Sequence, residues 1–148
     1  MAESIEKLII KNVDGVLTAL VTSGVLKRFV AGTFLPEDGA RPACGMMPND
    51  EDVTRGGSKY GANDQLLSLK LSLVVDEGNE KPLYELLDLI YEIDKALMVS
   101  KTRAGLAVTT RKLARRFLFL DPVTPMAGAD VDYGIVYSSD IRDPAVKV

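Results

Sequence analysis

The stretch that decides the fold runs from Asp64 to Ser100, DQLLSLKLSLVVDEGNEKPLYELLDLIYEIDKALMVS. Leu67, Leu69, Leu71 and Leu73 occupy alternate positions, with Ser68, Lys70 and Ser72 between them. A period of two predicts a strand with one buried face and one wetter face. Asp76-Glu77-Gly78-Asn79-Glu80-Lys81 breaks that pattern with charge and a glycine. Pro82 then suits the first position of a helix, where its missing N–H costs nothing. Leu83, Leu86, Leu87, Ile90, Ile93 and Leu97 recur at helical spacing and predict one apolar face, with Asp88, Glu92 and Asp94 mostly off it. A leucine-faced strand leading into a leucine-faced helix builds a core rather than a catalytic centre.

Upstream, residues 4–23 read as a first helix. Ser4 can cap its start, and Glu6 lies in the first turn, where negative charge is favoured. Ile5, Leu8, Ile9, Val13, Val16, Leu17, Leu20 and Val21 form its stripe, and Gly24 is a fitting stop. Val25 to Val30 predicts a short strand, and Pro42 to Met47 a second one, with glycines and prolines between them. Residues 48–63, PNDEDVTRGGSKYGAN, have no apolar periodicity and read as a long hairpin connection or an arm. Gly56-Gly57-Ser58-Lys59 lacks the spacing of a phosphate loop.

Downstream, Thr109 to Leu120 predicts a strand that carries Arg111, Lys112, Arg115 and Arg116 before the apolar Phe117-Leu118-Phe119-Leu120. A basic run beside aromatic rings can bind nucleic acid. The alternative puts the rings in the core and pairs the arginines with acidic residues on this or another chain, and the acidic balance favours it. Residues 121–125 and Gly128 read as a long turn, and Asp130 to Ile141 as the last strand. Short connections predict antiparallel pairing. The expected class is α+β: a mostly antiparallel sheet of about four to five strands with two amphipathic helices on one face. The other face carries Leu66, Lys70, Val74 and Val136, which suggests contact with another chain.

The chain has 148 residues, 47% of them hydrophobic, which suits one ordinary domain spanning 1–148. Its net charge of −3 gives no electrostatic footprint for nucleic acid. There is no histidine and a single cysteine. That removes Ser-His and Cys-His nucleophile pairs and most zinc sites. Cys44 cannot form an internal disulfide and reads as a small buried hydrophobe in a reducing compartment. The acidic opening and the lack of a long apolar run predict neither a signal peptide nor a membrane span. A protein made in the cytoplasm, or carried in an assembly built there, is expected. Asp130-Val131-Asp132 and Asp50-Glu51-Asp52 match no calcium loop. No catalytic residue, metal or cofactor is expected.

The layout resembles the tail terminator (tail completion) proteins of long-tailed bacteriophages and related phage-derived particles. The resemblance is carried by the first helix, Ile5 to Val21, a strand and the proline-led RPACGMMP, Arg41 to Pro48. The polar arm at about 48–63 follows. LLSLKLSLVVDEG, PLYELLDLIYEIDKAL, RRFLFLDP and DVDYGIVYS complete it, so nearly the whole chain is covered. The resemblance implies a structural virion protein of the tail or neck and not an enzyme. Such proteins form a ring, commonly a hexamer, that caps the tail tube and ends its polymerisation. They also present a surface to head-tail connector or neck proteins and leave a channel through which DNA passes. Implied partners are further copies of this chain, the tail tube protein and the connector, with no membrane. Arg55, Lys59 and Tyr60 in the arm, and Arg111, Lys112, Arg115 and Arg116, are the candidate interface residues. They rest on charge and loop length, and lumenal contact with DNA is a second role for the arginine cluster. The rivals are a head-completion, stopper or tube component, a small α+β ligand-binding domain or enzyme, and a nucleic-acid binder.

Overall fold

Helix α1 (Ile5–Thr22) starts where the Ser4 hydroxyl accepts the Lys7 N–H at 3.2 Å, satisfying one of the orphan donors of its first turn. It stops where Gly24 takes a positive φ and its N–H donates to the Val21 carbonyl. Next come β1 (Arg28–Ala31), β2 (Ala43–Pro48), β3 (Ala62–Asp76), helix α2 (Pro82–Met98), β4 (Thr109–Phe119) and β5 (Met126–Asp140). The structure is a computed structural model and describes residues 3–32, 41–48, 62–76, 81–119 and 126–140.

The five strands form one sheet in the order β1-β2-β3-β5-β4. It is mostly antiparallel, as expected, and the class is α+β. The exception is β1, which pairs with β2 in parallel, Arg28 opposite Ala43 through Ala31 opposite Met46. The prediction of antiparallel pairing from short connections fails at this pair. Residues 32–42 can span ~36 Å when extended, against ~13 Å for the length of β1. The chain can therefore return to the start of β1 before β2 begins. β5 is inserted between β3 and β4, so the two longest strands form the centre, from Ala62 opposite Asp140 to Asp76 opposite Met126.

Both helices cover one face. The odd-numbered residues of β3 from Leu67 to Val75 and of β5 from Ala127 to Tyr137 are buried under Ile5, Ile9, Val13 and Leu17 of α1 and the inner stripe of α2. Burying each such aliphatic side chain stabilises the fold by ~1.5–3 kcal/mol. The alternating leucines of the sequence thus mark the inner face of β3.

The stripe of α2 is rotated from the predicted one. Leu86, Leu89, Ile90, Ile93 and Leu97 are buried, whereas Leu83 and Leu87 are exposed. Leu89 lies about 40° around the helix from Ile93 and Leu87 about 120° away, so the sheet takes Leu89. Arg103, just beyond α2, is fully buried. Its guanidinium donates to the carbonyl of Leu97, in the last turn of α2, and to that of Ser100, just beyond it. Gly128 lies inside β5 rather than in the preceding turn. Pro48, Ala62 and Asn63 belong to strands, and the rest of the predicted arm lies outside the described residues.

Candidate assembly interface

β4 is an edge strand, and among the described residues its outer side pairs with no other strand. Residues 111–116 are all exposed. Its sequence, TTRKLARRFLF, carries four cations and no carboxylate. Charged side chains are a common guard on a free edge, because they oppose unwanted strand addition.

The basic cluster is divided between the two faces of the sheet. A register shift between Lys112 and Ala114 leaves Leu113 without a partner of its own. An inserted residue of this kind reverses the facing of everything beyond it. Arg111, opposite Gly134, and Arg116, opposite Asp130, therefore share the open face. Lys112, opposite Tyr133, and Arg115, opposite Val131, point to the helix-covered side. Lys112 is engaged there with the Asp94 carboxylate of α2. The Arg115 guanidinium lies 4.8 Å from the centre of the Phe117 ring, a cation–π contact at an exposed site. Phe117 packs against the core, as the sequence suggested for the rings.

The open face mixes charge with apolar surface. Lys70 stands opposite Asp132, and the Ser72 hydroxyl donates to Asp130 at 3.0 Å. Leu66, Val74 and Val136 are half-buried around this polar centre. Leu113, 42% exposed, and Leu118, 43% exposed, add apolar surface on the β4 side. Leu66, Lys70, Val74 and Val136 do share this face, as read from the strand period.

A second surface lies toward the other edge of the sheet. Glu85, Asp88 and Glu92 on one flank of α2 line an open groove with Leu89, Val25 and Pro42. Val25 leads into β1, and Pro42 immediately precedes β2. Beside the groove α2 exposes Tyr84, Leu87 and Tyr91. Sequence reading overlooked this surface. Its signal was the spacing of Tyr84, Leu87 and Tyr91, at positions i, i+3 and i+7, outside the inner stripe.

Among the described residues, no group of three or more His, Cys, Asp or Glu is placed to hold a metal ion. Cys44 is buried, and burial pushes its thiol up to about 12, which keeps it protonated and unreactive at neutral pH. Arg55, Lys59 and Tyr60 lie outside the described residues. Among the described residues no helix is long and apolar enough to cross a membrane. No family model and no curated protein matches the sequence. Among solved structures, the chain is similar to one from the virion of a native gene transfer agent particle, with a TM-score of 0.41 and 15% identity, covering 90% of this chain and 93% of that one.

Proposed function

We propose that the chain is a structural virion protein that forms a ring on the end of a phage-like tail tube, ends tube polymerisation and presents a joining surface to the head connector. The observation that carries this reading is the one-sided fold. Both helices cover one face, while the opposite face leaves Leu66, Val74, Val136, Leu113 and Leu118 without a covering layer among the described residues. An uncovered face with this much apolar surface suits contact with another protein. The tail-terminator-like order of elements in the sequence supports a tail end as that assembly. A ring needs two different patches per copy that meet on rotation, and the basic β4 edge supplies one. The polar stretch between β2 and β3, with Arg55, Lys59 and Tyr60, is proposed as a further segment that contacts a neighbouring copy.

The test is the mass of the purified protein in solution, alone and mixed with a candidate tail tube protein. A discrete ring, or a monomer that caps tubes and limits their length, supports the reading. Stacking without limit makes the chain a tube subunit. A strict monomer that ignores tubes overturns the reading.

A further inference from the structure

We propose that the basic β4 edge of one copy docks in the acidic groove of the next copy, between α2 and the entry to β1 and β2. The inference rests on the ring reading and names the two patches that meet. Three observations carry it. The first is charge: besides Lys112, which Asp94 of the same chain engages, β4 carries Arg111, Arg115 and Arg116 and no carboxylate, while Glu85, Asp88 and Glu92 line the groove with no cation among its lining residues. Lys95, one turn beyond, lies outside that lining. The second is position. β4 ends the sheet on one side, and Val25 and Pro42 lead into the two strands that end it on the other. Patches on opposite edges cannot make a self-complementary pair; they join head to tail, and such a contact closes into a ring when the rotation between copies permits. The third is apolar surface on both sides, Leu113 and Leu118 beside the arginines and Tyr84, Leu87 and Tyr91 beside the carboxylates. Exposed ion pairs contribute little each, so the apolar area supplies adhesion while the charges fix the partner and the register.

The experiment uses the full chain and measures its mass distribution against concentration. Arg111→Glu/Arg115→Glu reverses one patch and leaves Arg116, which stands opposite Asp130, in place. Asp88→Lys/Glu92→Lys reverses the other. Each is expected to raise the half-assembly concentration by about a hundredfold or more, because like charges then face each other. An equimolar mixture of the two variants is expected to recover rings of alternating copies, since each intact patch meets an intact partner and each reversed patch a reversed one. Arg111, Arg115 and Asp88 are exposed and Glu92 is half-buried, and circular dichroism checks that both variants remain folded. A wild-type ring that neither reversal weakens overturns this contact and leaves the ring standing. Two weakened variants that do not recover on mixing also overturn it. A wild-type chain that never assembles, alone or on tubes, overturns the ring and this contact together.

Discussion

The hydroxyl of Tyr133 donates to the carboxylate of Asp94, which also holds the ammonium of Lys112. This junction ties the centre of the sheet to α2 and to the edge strand. It gives Lys112, which faces the helix-covered side, its partner there. Tyr133 is buried, and its hydroxyl has little access to water. Tyr133→Phe keeps the ring and removes the donor. The expected loss is about 1–2 kcal/mol in urea unfolding. Lys112→Ala, at a partly exposed pair, is expected to cost below about 1 kcal/mol. A larger loss for Lys112→Ala than for Tyr133→Phe would reverse the assigned roles.

Arg103 closes the carbonyl end of α2 through a single nitrogen. Nη2 makes both hydrogen bonds, while Nε and Nη1 have no partner among the described residues. An amine can therefore replace much of what the guanidinium does. Arg103→Ala is expected to cost about 2–3 kcal/mol, because it leaves buried carbonyls without a charged donor. Arg103→Lys should retain more than half of that. Equal losses in chemical denaturation would show that packing of the whole guanidinium, rather than the Nη2 donors, holds the turn.

Much of the framework was legible because it follows local rules. Ser4 and Gly24 bound α1 as read, and the leucines at 67, 69, 71 and 73 are the inner face of β3. What was not legible depends on neighbours that are distant in sequence. Leu87 and Leu89 are equally apolar, and only the angle at which α2 meets the sheet decides which one is buried. The division of Arg111 and Arg116 from Lys112 and Arg115 follows from the bulge at Leu113, and the strand's own pattern carries no mark of it. A glycine in the interior of β5, Gly134, was the available hint, since such glycines often mark a bulge or a close approach. The parallel β1–β2 pair was hidden for a similar reason: connection length permits it without requiring it.

Two glycines of β5 make opposite predictions from the distances alone and from what would have to move. A Cβ on Gly134 would meet the tip of Leu113 at 2.9 Å. On Gly128 it would meet the Leu73 carbonyl oxygen at 3.1 Å. The closer contact is the cheaper one, because Leu113 is on the surface and can swing away, whereas the carbonyl is fixed in the central ladder. Gly134→Ala is expected to stay within about 0.5 kcal/mol of the parent, helped by lower chain entropy in the unfolded state. Gly128→Ala is expected to cost about 1–3 kcal/mol as an overpacked site. Thermal unfolding of the two variants side by side decides it, and the reverse ranking would mean that Leu113 is held more firmly than its exposure implies.

Alkaline pH offers a test of the buried face of the sheet. Burial raises the Cys44 thiol from its ordinary 9.0 to about 12. Burial, then the negative charge of Glu6, raises Tyr137 from 10.0 to about 12. Tyr133 is shifted upward as well, by burial and then by its bond to Asp94. In the unfolded chain these groups lose their protons from about pH 9 to 10 upward, while the folded chain keeps them. The unfolded state then binds fewer protons, so stability falls as pH rises through that window. For Cys44 and Tyr137 the contribution is fully present below pH 9 and is lost by about pH 12. For Cys44 the slope is about 1.4 kcal/mol per pH unit once the unfolded thiol has ionised. Cys44→Ala should therefore flatten the decline between pH 9 and 10, whatever its effect on stability at neutral pH. Urea midpoints measured from pH 7 to 11 on the parent and on Cys44→Ala supply the comparison. Parallel curves would mean that the thiol ionises equally easily in both states, and that β2 opens to solvent within the native ensemble.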